Sequence, residues 1–262
     1  MFKVLYENRY LLGQMTKKDI GDRYKGSALG VVWAFVVPVL MLVIYTFVFS
    51  EVFQAKWGNA TDDKFSFAMI LFCGLSVFNM FSETISRATG LISANVNYVK
   101  KVVFPLEILP VTMTLTALFH ASISYLILVV ANYVLRGSIS AYLWLWPIAM
   151  LPAVVLTVGM GYLVSALSVF LKDLGNIINV IVMILMYTSP VFYSLSAVPE
   201  DLRGICLWNP MTYVVENLRN VVLYNTMLQW DQYLISCVYA VVALFVGYRV
   251  FSRTKEGFAD VL

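Results

Sequence analysis

Apolar residues in this chain gather into long runs separated by short polar stretches. A helix crosses the hydrocarbon layer with about 20 apolar residues, and its backbone must bond to itself because lipid offers no partner. Read by that rule, the pattern predicts six crossing helices. The first runs from Leu29 to Phe49 without a charge, and the second, Phe65 to Ser82, is short. The third, Ile108 to Leu135, encloses His120 and Asn132, and the fourth, Tyr142 to Leu171, holds Pro147, Pro152, Gly159 and Gly161. The fifth, Ile177 to Tyr193, is short and meets Pro190 near its end, and the sixth runs from Tyr233 to Phe251. The whole reads as one all-α membrane domain, 1–262, with three polar segments at 1–28, 83–107 and 195–231.

Each polar segment has its own pattern. The first predicts an interfacial helix with Phe2, Leu5, Leu12 and Met15 against lipid and basic side chains toward phosphates. The second, bounded by Pro105 and Pro110, is a loop suited to docking, since proline stops and redirects helices. In the third, Asn209 followed by Pro210 predicts a helix cap and first helical position. Beyond it, Met211, Val214, Val215, Leu218 and Val222 share one face, and Thr212, Glu216, Arg219 and Asn220 the other. That helix is too polar to span, so it is expected to lie at or dip into the outer leaflet.

Composition agrees. The chain is 61% hydrophobic and 13% charged, against about 45–50% and about 25% in soluble domains, so lipid must solvate much of it. Lys and Arg are distributed unevenly. Thirteen fall with the N-terminus, the segment around Lys100, Lys172 and the tail, and five (Lys56, Lys64, Arg136, Arg203, Arg219) fall on the other side. By the positive-inside rule both termini are cytoplasmic. A net charge of +3 gives no reason to expect a nucleic-acid partner. Cys73, Cys206 and Cys237 have neither metal-ligand nor redox spacing, so no metal site is expected. The first residues mix charges throughout, which predicts no cleavable signal peptide.

Candidate chemistry is sparse. Gly21 to Gly26 has the glycine spacing of a phosphate loop, but Ser27 and Ala28 stand where Lys and Ser/Thr are needed. The chain is therefore expected to bind no ATP and to be no enzyme, and no paired catalytic residues are visible. His120 is the one ionisable side chain deep in a span; without carboxylate or His partners it reads as a hydrogen-bond donor to a neighbouring helix rather than a proton relay. Tyr45, Phe49 and Phe53 recur at i, i+4 and i+8, so they share a helix face near the outer end. Phe78 and Phe81 on the second span, and Tyr187 and Tyr193 on the fifth, add aromatic surface. Such residues fit either an interfacial belt or a track on which sugar rings stack. Thr157, Gly161 and Ser165 form a small-residue stripe that predicts close helix packing.

Four stretches together resemble the permease subunits of polysaccharide ABC exporters: Arg23 to Trp33 continuing to Pro38, Asn97 to Pro105, Ser189 to Tyr193, and Asn209-Pro210 with Arg219 beyond. The likeness covers nearly the whole chain in order. It implies the type-2 (type V) ABC exporter fold, with six transmembrane helices, an N-terminal interface helix and short outer gate helices. It implies a homodimer in the bacterial inner membrane with two copies of a separate ATPase subunit, which would hold ATP and magnesium. It implies a coupling site at Asn97, Tyr98, Lys100, Lys101, Phe104 and Pro105, and an outer gate that includes Asn209, Pro210 and Arg219. The channel would lie at the dimer axis, lined by the first, second and fifth spans, which favours the sugar-track reading of the aromatics. The implied cargo is a lipid-linked polysaccharide, O-antigen first, with capsule or teichoic acid also open. The alternative is a permease of the same fold for a small amphiphile such as a drug or lipid.

Overall fold

The structure is a computed structural model that describes residues 1–53, 57, 66–100 and 104–262. Among the described residues all regular structure is helical. Two helices open the chain, α1 (Phe2–Glu7) and α2 (Arg9–Asp22). A 3₁₀ turn, Gly30–Val32, feeds α3 (Trp33–Tyr45), which continues as the π-helical turn Thr46–Val52. Then follow α4 (Ser66–Ala88), the short α5 (Leu91–Ala94) and α6 (Val96–Lys100), and α7 (Ile108–Arg136). The 3₁₀ turn Leu143–Leu145 leads into α8 (Trp146–Phe170), followed by α9 (Leu174–Thr188). The chain closes with α10 (Glu200–Trp208), α11 (Pro210–Val222), α12 (Trp230–Thr254) and α13 (Phe258–Val261).

Among the described residues five stretches are long and apolar enough to cross a membrane: Gly30–Val52, Phe67–Ala88, Ile108–Arg136, Leu143–Phe170 and Trp230–Val261. α7, with 29 residues, is about 44 Å long at 1.5 Å per residue. It ends where Gly137 takes a left-handed conformation, φ 69°, and donates its N–H to the Tyr133 carbonyl at 2.8 Å. The expected fifth span is shorter than the hydropathy pattern implied. α9 has 15 residues, about 22 Å, and stops at Thr188 because Ser189 turns extended (φ −87°, ψ 150°) ahead of Pro190. Val191 to Tyr193 are thus apolar but not helical. The expected second span, in contrast, runs on: α4 continues through Glu83 and Arg87, taking the first six residues of the 83–107 segment into the helix.

α4 is the central helix. Ala68, Leu71, Cys73, Val77, Thr84 and Ala88 along it are fully buried, and α3, α7, α8, α9 and α11 all pack on it. α8 and α12 form the tightest crossing, where a Cβ on Gly247 would fall 2.0 Å from the Gly159 carbonyl oxygen. α3 is peripheral, with Ala34 its one buried residue. Large apolar side chains of α3 and its π-helical continuation, α9 and α12 face outward, among them Val43, Phe47, Ile184, Val238 and Phe245.

The N-terminal segment departs from expectation. Leu5, Leu12 and Met15 pack against the core, and α2 lies along α7. The exposed stripe is instead Phe2, Tyr6 and Tyr10 at i, i+4 and i+8, so of the four residues expected to face lipid only Phe2 points away from the bundle.

Candidate functional site

Three groups of candidate residues lie along the bundle: an aromatic ladder beside α4, a buried amphipathic helix at one end, and a charged cleft at the other. The ladder begins on α3. Tyr45 and Phe49 are 6.4 Å apart between ring centroids, and Phe49 and Phe53 5.8 Å. α4 fills the ladder from its side: Phe67 stacks on Phe49 at 5.2 Å and Phe72 lies 6.5 Å from Tyr45. Tyr45 and Phe49 are therefore half-buried, and Phe53 is 66% exposed. Phe78 and Phe81 belong elsewhere. Each is 1% exposed within the core, so they present no face to a passing ligand in this conformation. The helix packs them inward because their positions lie on the side of α4 that meets the bundle rather than α3. Tyr187 is 60% exposed and stacks with Phe192 at 5.9 Å, and the Tyr193 hydroxyl donates to its carbonyl at 2.8 Å.

A groove of about 250 Å³ continues below Tyr45 between α3, α4 and α7, lined by Pro38, Ser76, Asn79, Glu83, His120 and Ser124. His120 Nδ1 lies 3.2 Å from the Tyr24 hydroxyl, so its partner is the turn after α2 and not a neighbouring helix. Burial raises the Tyr24 pKa and keeps that phenol protonated.

At the groove's foot α2 is clamped to α4. Arg87 pairs with Asp19 at 2.7 Å and with Glu83 at 3.6 Å, and Arg23 also pairs with Glu83. Nothing in the hydropathy pattern singled out Glu83 or Asp19; the only local signal was the four-residue spacing from Glu83 to Arg87. Beside this clamp lies a cleft of about 390 Å³ between α2, α5, α6 and α7, lined by Met15, Asp19, Arg87, Leu91, Tyr98 and Thr112. Tyr98 stacks on Phe104 at 4.5 Å with the rings 14° from parallel. Asn97 and Lys100 are exposed on α6 and Pro105 is half-buried, while Lys101 lies outside the described residues. A second tie missed in the sequence joins the far end of the chain to this region. Lys255 Nζ donates to the buried Glu107 carboxylate at 2.7 Å, and the Tyr162 hydroxyl donates to the Glu107 carbonyl at 2.6 Å.

The opposite end carries the predicted amphipathic helix. The Asn209 side chain accepts from the Met211 N–H at 2.9 Å and donates to the Leu185 carbonyl at 2.7 Å, so the cap also fastens α11 to α9. Pro210 takes the first helical position. Both faces of α11 are buried: Met211, Val215 and Leu218 on one side, Thr212 and Arg219 on the other. Of the two expected placements, lying at the leaflet or dipping into it, the packing of this helix among α4, α8 and α12 fits the second.

Outward-facing apolar helices, with a charged cleft at one end of the bundle and a buried amphipathic helix at the other, define a polytopic membrane protein. The family profile described as ABC-2 type transporter matches residues 10–223, and the chain belongs to that family. Among its relatives it is similar to the O-antigen export system permease protein RfbA of Klebsiella pneumoniae, 28% identical with 96% of this chain and 95% of the relative covered. RfbA of Myxococcus xanthus is 25% identical over 99% of this chain and 98% of the relative. The polysialic acid transport protein KpsM of Escherichia coli is 23% identical, with 91% of each chain covered.

Proposed function

We propose that this chain is the membrane-spanning subunit of an ATP-driven exporter that moves a lipid-linked polysaccharide, O-antigen first among the candidates, across the bacterial inner membrane. The observation that carries the reading is the end-to-end similarity to O-antigen export permeases, 95–98% of whose length is covered. Two copies would pair about the outward apolar faces of α3 and α9, with the aromatic ladder toward the shared axis. Two separate ATPase subunits, holding ATP and magnesium, would dock in the charged cleft around Tyr98 and α2. Both termini would then be cytoplasmic and α11 would close the outer exit. α9, though short, would line the channel as the sixth crossing element, its length sufficing where the end of the path is completed by α11.

The test is a deletion of the gene in its native host, complemented by the wild-type chain. Export predicts that surface polysaccharide is lost, that lipid-linked polymer accumulates inside, and that both revert on complementation. Normal surface polysaccharide in the deletion strain would refute the reading.

A further inference from the structure

The most unusual side chain in the molecule is Arg219, a full cation with no exposed surface. Four of its five N–H donors are bonded. Nε donates to the Ile70 carbonyl at 3.2 Å, Nη1 to the Pro190 carbonyl at 2.6 Å and to Glu216 at 2.8 Å, and Nη2 to the Val191 carbonyl at 3.0 Å. The guanidinium lies 4.5 Å over the Trp57 ring. On its remaining side is Gly74, where a Cβ would stand 2.9 Å from Nη2 and 3.2 Å from Val215 Cγ1. Three separate parts of the chain therefore meet on one group: α4 through Ile70 and Gly74, the turn after α9 through Pro190 and Val191, and α11 itself.

The turn after α9 explains the need for a multiple donor. The chain leaves the helix at Ser189, so the Pro190 and Val191 carbonyls have no helical donor, and the guanidinium supplies both. The arrangement is also stiff. Among the described residues Glu216, a quarter exposed, is the carboxylate paired with Arg219, and the carbonyl oxygens and the Trp57 ring supply the rest of its contacts. Pulling any one of the three segments away would strand a buried charge.

We propose that Arg219 is the positioning residue that joins α4 to the outer exit, so that α4, the turn after α9 and α11 move as one body during transport. α4 is suited to transmit that motion. Its other end is clamped to α2 by Arg87–Asp19 and Arg23–Glu83, beside the cleft assigned to the ATPase. Motion imposed there travels along a 23-residue helix and reaches α11 through one guanidinium. The inference rests on the exporter reading for the words "outer exit", but the coupling itself is measurable without cargo.

The experiment uses the complex of this chain with its cognate ATPase in liposomes. A bimane label is placed at Trp208→Cys on α10, which is 81% exposed beside α11, with the native cysteines replaced by alanine. In the parent, ATP should change the label's signal. Arg219→Gln, Arg219→Lys and Gly74→Ala should each cut that change at least fivefold while ATPase activity stays within twofold of the parent. A purely structural role would instead lower assembly and ATPase activity together. Because Gly74→Ala acts by displacing the guanidinium, adding it to Arg219→Gln should cause no further loss. If Arg219→Gln fails to assemble, Arg219→Lys and Gly74→Ala carry the test. A parent signal that ignores ATP, variants that keep the full ATP response, or effects that multiply in the double variant would each overturn the proposal. An ATP response in the parent without polysaccharide transport would leave the coupling standing and refute the cargo.

Discussion

At the scale of single residues, glycine decides how α8 and α12 meet. A Cβ on Gly159 would lie 2.4 Å from the Leu244 nitrogen, and one on Gly247 2.0 Å from the Gly159 oxygen, so both encounters are with backbone that has no rotamer to yield. Gly247→Ala must push the helices apart along their length. It is expected to destabilise the protein at the upper end of overpacking costs, about 3 kcal/mol. Gly204→Ala on α10, with nothing within 4 Å, should be nearly silent. Melting of the detergent-solubilised protein followed by size-exclusion chromatography separates the two, and equal melting temperatures would contradict the packing. The small-residue stripe expected to pack, Thr157, Gly161 and Ser165, is buried against α4 and α7, but the tightest approach is on another face. Thr157 and Ser165 bond to carbonyls of their own helix, at 2.7 and 3.2 Å, and Gly161 faces Pro110 and Thr84. The backbone-to-backbone approach pairs Gly159 with a residue 88 positions later, which no local pattern encodes. Arg219 was legible as a polar residue of an amphipathic helix, but its burial was not, because the acceptors sit on two distant segments.

At the scale of elements, boundaries were readable where local chemistry sets them. α7 ends one residue beyond expectation because Gly137 supplies a left-handed cap, and α11 begins at Asn209-Pro210 because those residues cap and start helices anywhere. The end of α9 was misplaced because hydropathy counts Val191 to Tyr193 as apolar and does not see that Pro190 ends the hydrogen-bond ladder. The ladder on α3 gives the element-scale prediction. Replacing Tyr45, Phe49 and Phe53 together by Leu preserves apolar burial but removes the π faces, worth about 0.5–1.5 kcal/mol per aromatic contact. Since Phe49 and Tyr45 also meet Phe67 and Phe72, a modest loss of thermal stability is expected. Export per permease should fall several-fold while ATPase activity persists. Phe47→Leu, 61% exposed on another face, is the matched control. Equal export by the triple variant and the control would reduce the ladder to packing.

At the scale of the whole molecule, the Lys and Arg asymmetry leads to an expected orientation, but the ties that hold the basic end together have no signal in that pattern. Asp19 meets Arg87 across 68 positions and Glu107 meets Lys255 across 148, and each of these charges alone reads as an ordinary solvated residue. Together they fix α2, α4, α7 and the chain's end around the cleft that carries Tyr98. This arrangement makes the docking prediction specific. Tyr98 and Phe104 stack on each other and pack against the core, so they shape the connection between α6 and α7 rather than merely decorate it. Changing both to Ala removes the stack, lets α6 relax, and should weaken ATPase stimulation by about tenfold for a docking penalty near 1.4 kcal/mol. The helical bundle should survive, because its buried residues lie chiefly in α4, α7, α8 and α11, and Tyr98 and Phe104 are only half-buried at its margin. Trp144→Leu, 69% exposed at the other end of the bundle, controls for the loss of an aromatic. The measurements are ATPase rate against permease concentration and circular dichroism of the purified chain. A shifted concentration dependence with unchanged helicity supports docking at Tyr98, and an unshifted one would move the docking surface to α2 or to the tail around Lys255.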